Sequence, residues 1–150
     1  MTAFVSVRNL RLDARTPRGL AHILRGVDLD IGRGRIMGVV GESGSGKSSL
    51  ALCMLRMLPG NVTPLRGQLL IDGTDLVALD PAAMQERRGR TIAMIFQDPA
   101  SALNPLFTIA THLVDVLRRR HPGMARREAL AQAQGALVRV GIADPADRLR

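Results

Sequence analysis

Between an apolar run and a helix-like run the chain carries Gly41-Glu42-Ser43-Gly44-Ser45-Gly46-Lys47-Ser48, which matches the spacing G-x-x-x-x-G-K-[ST]. No other stretch restricts the fold as much. Residues without bulk let consecutive N–H groups turn inward around an anion, and this loop is built from glycines and serines. In that reading Lys47 supplies a point charge to the β- and γ-phosphates of a nucleotide, the Ser48 hydroxyl ligates Mg²⁺, and Ser49 continues the binding turn. The segment Arg35 to Val40 in front predicts a buried strand, and Lys47 to Leu58 behind, closed by Pro59-Gly60, predicts a helix. That helix would point its N-terminus, with its free amides and the positive end of its dipole, at the phosphates. Strand, loop and helix in this order separate the motif from a Gly/Ser turn without function. Lys47 is also the only lysine of the chain. A compact ammonium stands where a point charge on phosphate suits the chemistry, although a codon bias towards arginine would give the same pattern.

The length of 150 residues suits one domain with a sizeable core, and 46% hydrophobic with 23% charged residues is ordinary for a globular chain. No apolar run approaches the roughly 20 residues of a membrane span, and the start Met1-Thr2-Ala3-Phe4-Val5 lacks the pattern of a signal peptide, so a cytosolic location is expected. Cys53, the one cysteine, lies among Leu52, Met54 and Leu55 and reads as core packing. His22, His112 and His121 show no ligand spacing with it, so no metal site made of protein ligands alone is expected. The net charge of +8 is densest at Arg118-Arg119-Arg120 and Arg126-Arg127. With no Tyr or Trp, and with Phe4, Phe96 and Phe107 scattered, no stacking platform accompanies these arginines. They read as solvated helix faces rather than a nucleic-acid surface.

In chain order, Phe4 to Leu12 alternates as a half-buried strand, Thr16 to Gly19 is a turn, and Val27 to Ile31 alternates again before Gly32-Arg33-Gly34. After the loop and its helix, Gly67 to Ile71 predicts a strand closed by the turn Asp72-Gly73. Asp80-Pro81 offers an N-cap with proline at the first helical position, opening a short helix through Arg88. Thr91 to Phe96 is a continuous apolar run of the kind buried on both faces of an α/β sheet. It ends in Gln97-Asp98-Pro99. A polar amide at the carboxyl end of a central strand lies where open α/β folds bind ligands, so Gln97 either orients an attacking water or touches Mg²⁺, or merely caps the strand before the proline turn.

These motifs together resemble the ATP-binding subunits of ABC transporters. Gly41 to Ser48 resembles the family's Walker A loop, Gly67-Gln-Leu-Leu-Ile-Asp-Gly73 its hairpin strand, and Ile95-Phe-Gln97 its Q-loop. The stretch Gln97-Asp-Pro-Ala-Ser-Ala-Leu-Asn-Pro-Leu-Phe-Thr-Ile109, with Asn104-Pro105 at its centre, is similar to the pattern of the peptide and nickel importer branch. The resemblance implies an α/β fold: a P-loop NTPase core with an N-terminal antiparallel β subdomain over about 1–98 and the start of a helical subdomain over about 99–150. It implies ATP and Mg²⁺ as ligands, with Gln97 sensing the γ-phosphate and the metal. The implied partners are a second ATPase subunit, identical or not, a transmembrane permease, and indirectly a solute-binding protein, which places the chain at the cytoplasmic face of the membrane.

The family also uses a Leu-Ser-Gly-Gly-Gln signature, a Walker B strand ending in Asp-Glu and a switch histidine, none of which occurs in these residues. Leu69-Leu-Ile-Asp72 imitates a Walker B strand, but Gly73 stands where the catalytic Glu belongs; Met94-Ile-Phe-Gln-Asp98 is ended by Pro99. Thr108 to Arg120 and Met124 to Val140 read as the helices ahead of the signature, so the chain is expected to be the N-terminal part of such a subunit, able to hold ATP and poor at cleaving it. Ala14 and Ala21 stand near the family's adenine-stacking aromatic. Three other readings fit part of the pattern. They are an ABC-type ATPase acting on nucleic acid, a P-loop nucleotide kinase, and a short nucleotide-binding module that does not hydrolyse.

Overall fold

The alternation at the N-terminus folds into a long antiparallel hairpin, β1 (Ala3–Thr16) and β2 (Gly19–Gly32). Its turn is closed by the Thr16 hydroxyl, which donates to the Gly19 carbonyl at 2.8 Å. Strand β3 (Arg66–Ile71) pairs antiparallel with the other edge of β1, and the short β4 (Thr74–Asp75) follows it, giving the order β2-β1-β3-β4. Asp72 and Gly73 join β3 to β4 with φ of 50° and 76°. Two positive φ angles in a two-residue loop suit the right-handed twist of a hairpin. The computed structural model describes residues 3–98 and 102–150, which fall into two compact units dividing between Met94 and Ile95.

Bulges set which side chains reach the core of the first unit. On β1, Val7 faces Leu29 but Leu10 faces Val27, so Arg8 and Asn9 oppose a single residue. That extra residue flips the parity, and Val7, Leu10 and Leu12 are all buried. Asn9 accepts the left-handed φ of 45°, and its N–H donates to Asp28 at 2.9 Å. Leu69 and Ile71 of β3 add to the same layer. Helix α1 (Lys47–Leu55) covers it with Leu50 and Cys53, and Leu76 and Met84 close it. Burial pushes the Cys53 thiol up to about 11, so it packs as a neutral apolar group.

Helix α1 ends three residues before the expected Leu58. Arg56 turns left-handed with φ 49°, its N–H donates to the Cys53 carbonyl, and the Met57 N–H donates to Leu52. This is a Schellman closure with arginine at the position glycine usually takes. Helix α2 (Pro81–Arg87) starts as expected, with the Asp80 carboxylate accepting from the Ala83 N–H at 2.9 Å.

In the second unit α3 (Ile109–Arg120) is capped by Thr108, whose hydroxyl accepts from the Thr111 N–H, and packs against α4 (Arg126–Arg139), which in turn contacts α5 (Pro145–Arg148). Ala110 and Ala133 are buried between them with Leu149; alanines let the helices approach closely. No described helix is long and apolar enough to cross a membrane.

The two runs expected as buried central strands differ from that expectation. Residues 35–40 and 93–96 are in no ladder, and Ile36, Val40 and Ile95 are 102%, 93% and 94% exposed. Ile92 makes only an isolated parallel bridge to Arg88. A strand buried on both faces needs parallel neighbours as well as covering helices, and none of the described residues pairs with these runs as such a neighbour. Pro99, expected to end the second run, lies outside the described residues, as do Ala100 and Ser101.

Candidate functional site

The loop 41–46 is held by few internal bonds and one close approach. The Ser45 N–H donates back to the Glu42 carbonyl at 3.2 Å, and the Leu50 N–H donates to Gly46 at 2.8 Å, starting α1. Gly46 is the N-cap with φ 93°, and a Cβ placed there would lie 3.2 Å from both the Ile23 carbonyl oxygen and Leu24 Cδ2. The loop therefore rests directly on the backbone of β2 at a spot only glycine fits. Ile23 is itself the extra residue of a bulge, because Leu12 faces Leu24 while Asp13 faces His22.

The N-terminus of α1 has neither a side-chain cap nor an acidic residue in its first turn. The amides of Lys47, Ser48 and Ser49 precede the first intrahelical bond and have no intrahelical acceptor. They and the helix dipole present uncompensated positive charge beside the loop, where an anion is stabilised. Gly44, with φ 81°, adds a second left-handed residue to the loop. Ser48 is exposed, its hydroxyl available to a ligand. Lys47 Nζ donates to the carbonyls of Gly41 at 2.8 Å and Glu42 at 2.6 Å and to Ser45 Oγ at 3.3 Å. All three ammonium protons are thus held over the loop, in position to exchange carbonyl oxygens for phosphate oxygens. The residue types fit a polyphosphate: consecutive uncapped amides, a point charge and an exposed hydroxyl lie on one loop and first turn. Among the described residues no group of three His, Cys, Asp or Glu could hold a metal alone, so a cation here would be shared with its phosphates.

Two arginines that the sequence did not single out fix the far end of α1. The Arg88 guanidinium donates to the carbonyls of Leu55 at 2.7 Å and Arg56 at 3.1 Å. Arg56 reaches the carbonyls of Leu76 and Leu79. The carbonyls of the last helical residue and of its cap are satisfied by the Arg88 guanidinium, while that of Arg56 ties the cap to the segment after β4, and nothing in the residue types marks those two arginines out among twenty.

Gln97 belongs to the second unit, exposed in a bend. Asn104 downstream is tied into a knot: its N–H donates to His112 Nε2 at 2.9 Å, its side-chain oxygen accepts from the Leu106 N–H at 3.0 Å, and its carbonyl accepts from the Phe107 N–H at 3.1 Å. His112 Nδ1 lies 3.0 Å from the Thr108 carbonyl, which assigns it the proton and leaves Nε2 as the acceptor. The exposed turn before α3 is thereby given one shape. Asp72 sits in the turn of the hairpin that the sequence pattern predicts there, ion-paired with Arg33 at 2.6 Å.

The ABC transporter family model matches residues 24–150, a span that runs from β2 through the loop to the last residue. The chain belongs to this family. It is 40% identical over 141 residues to a probable D,D-dipeptide transport ATP-binding protein of Escherichia coli K12, covering 93% of this chain and 43% of that protein. A dipeptide transport ATP-binding protein of Bacillus subtilis 168 is 38% identical over 153 residues, covering 100% and 45%. The ABC chain thus spans less than half the length of the curated relatives it matches. Among solved structures, the dimeric bacterial ABC transporter cassette MJ0796 superposes with a TM-score of 0.76 at 24% identity, covering 89% of this chain and 56% of that one. That likeness establishes the fold as that of an ABC cassette, with the antiparallel sheet ahead of and beside the loop helix. A post-hydrolysis form of the same cassette, bound to ADP and phosphate, superposes with a TM-score of 0.68 at 22% identity.

Proposed function

We propose that this chain is the ATP-holding part of an ABC importer subunit for peptides, with nickel as an alternative cargo of the same branch. The observation that carries the reading is Lys47 Nζ held over the loop beside the uncapped first turn of α1, in which Ser48 is exposed. The names of the relatives, which are dipeptide transport ATP-binding proteins, supply the cargo class. Gly41 to Ser49 holds the phosphates, with Lys47 on the β- and γ-phosphates and Ser48 on Mg²⁺. When bound, Mg²⁺ would supply charge neutralisation on the phosphates. Gln97 orients the attacking water or contacts the metal. The 104–108 turn, held by His112, faces a permease at the cytoplasmic side of the membrane, and the helices α3–α5 are the start of the helical subdomain. A second ATPase subunit supplies groups over the γ-phosphate, and a solute-binding protein delivers cargo to the permease.

Positioning and charge neutralisation supply nearly all the catalysis of phosphoryl transfer. Residues 1–150 contain no Asp-Glu strand and no signature, so they hold nucleotide and turn it over negligibly. Titration of the 150-residue chain with MgATP, followed by calorimetry, tests this. A charge-assisted bond contributes about 1.5–3 kcal/mol, so Lys47→Ala should weaken binding about 10- to 100-fold while leaving the unfolding midpoint in place. Unchanged affinity in Lys47→Ala defeats the site, and steady hydrolysis by residues 1–150 defeats the claim of negligible turnover.

A further inference from the structure

The sheet carries a charged feature that the nucleotide reading does not use. Arg25 of β2 lies directly opposite Arg11 of β1, and Arg11 lies directly opposite Arg66 of β3. Three guanidinium side chains thus stand in one row across three strands, on one face, about 4.8 Å apart from strand to strand. Like charges directly opposite one another destabilise a sheet. The bulge at Gly26 helps produce the row: Leu10 faces Val27 and Arg11 faces Arg25, and the Arg11 guanidinium packs over the glycine, within 3.3 Å of where a Cβ would be.

One carboxylate answers the row. Asp13 is 4% exposed, accepts from Arg66 and from His22 Nδ1 at 2.7 Å, and is the only buried charged residue among those described. It fixes Arg66 and His22 on the rim of an open cavity of about 440 Å³ lined by Arg11, Asp13, His22, Leu24, Arg25 and Arg66. Among the described residues no ion pair reaches Arg11 or Arg25; Arg11 Nε donates only to the neutral amide oxygen of Asn9 at 3.0 Å. Arg11 and Arg25 therefore have no described direct ion pair over a cavity with an oriented rim, Arg11 acting on Asp13 only through the field of its charge.

We propose that this cavity binds a phosphomonoester, either on a small soluble molecule or on a lipid headgroup. The charge matches: a phosphomonoester carries about −1.5 to −2 at neutral pH, against two guanidiniums with no described direct ion pair, whereas a single carboxylate brings only −1. The geometry matches as well, since a guanidinium fork pairs two N–H groups with two phosphate oxygens. No Phe, Tyr or Trp lines the cavity, and its guanidiniums suit the oxygens of a phosphate.

The test uses the 150-residue chain carrying Lys47→Ala, which disables phosphate binding at the 41–49 loop. Glycerol 3-phosphate is titrated by calorimetry, and vesicles of phosphatidylcholine with or without phosphatidic acid are tested by co-sedimentation. Binding of either probe, weakened at least ten-fold by Arg11→Gln with Arg25→Gln and by rising salt, supports the proposal. The probe that binds identifies the source of the phosphate. The double variant should unfold at an equal or higher temperature than its parent, because it removes like-charge repulsion. If it does not fold, Arg25→Gln alone, a residue with no described bond, serves in its place. Failure of both probes to bind, affinity unchanged in the arginine variants, or binding by the parent that vanishes with Lys47→Ala alone would overturn it.

Discussion

Leu69-Leu70-Ile71 in β3 and Thr91 to Phe96 after α2 are both apolar runs, yet they end in opposite states. Leu69 and Ile71 are 0% and 3% exposed, paired with Val7 and Val5 on β1, while Ile95 is 94% exposed and its run makes a single bridge. Residues 35–40 share the second fate. Hydrophobicity states what a segment needs, and pairing decides whether it gets it. An antiparallel neighbour is supplied locally by a hairpin; parallel neighbours require crossovers of a dozen residues or more. In this sheet β1–β2 and β3–β4 are hairpins of that local kind, and β3 reaches β1 antiparallel across the loop and α1.

The contrast is broken most directly by truncation. Leu69→Ala deletes a fully buried side chain and should cost about 2–5 kcal/mol in denaturant-induced unfolding. Val40→Ala, at 93% exposure, should stay within about 0.5 kcal/mol. Equal costs for the two would show that the exposed run is covered in solution. The same pair can be read by hydrogen exchange, where amides of β1 and β3 should be protected and those of 36–40 should not.

A smaller effect is expected where the phosphate loop meets the sheet. Gly46→Ala forces a left-handed φ on alanine, about 1–2 kcal/mol, and presses its methyl against the Ile23 carbonyl. It should lower stability and weaken MgATP binding together, whereas Lys47→Ala should affect binding alone. A Gly46→Ala chain with full affinity would mean that the loop does not need its seat on β2.

Much of this was readable beforehand, and the reason differs by element. The Asp80 cap, the Asp72-Gly73 turn and the loop glycines are local chemistry: each residue type satisfies a backbone need within a few positions. The bulges at Asn9, Ile23 and Gly26 were not readable, because a parity shift depends on which neighbouring strand a side chain meets. The same holds for Arg88 over the end of α1, whose partners lie over thirty positions away, and for the Arg56 guanidinium, whose partners Leu76 and Leu79 lie 20 and 23 positions away. In the site, Lys47 and Ser48 followed from spacing, whereas the row of Arg11, Arg25 and Arg66 required the register of three strands.

The smallest expected effect belongs to the paired region and tests it by pH. Hydrogen bonding from His22, then the charges of His22, Arg66 and Arg11, hold the Asp13 carboxyl below its ordinary value of 3.8 against the opposing effect of desolvation. The folded state therefore binds its proton later than the unfolded chain does on acidification. The stabilisation is fully present above about pH 4 and is lost as pH falls through the lower folded value. Acid unfolding of the parent should steepen in that window, and Asp13→Asn should remove its share of the slope while leaving the curve near neutrality flat. Because Asp13 pairs with β2 through His22 and with β3 through Arg66, the change should appear in the amides of β1 to β3 and not in those of 36–40. An identical acid profile in Asp13→Asn would mean that the carboxylate does not tie the three strands together.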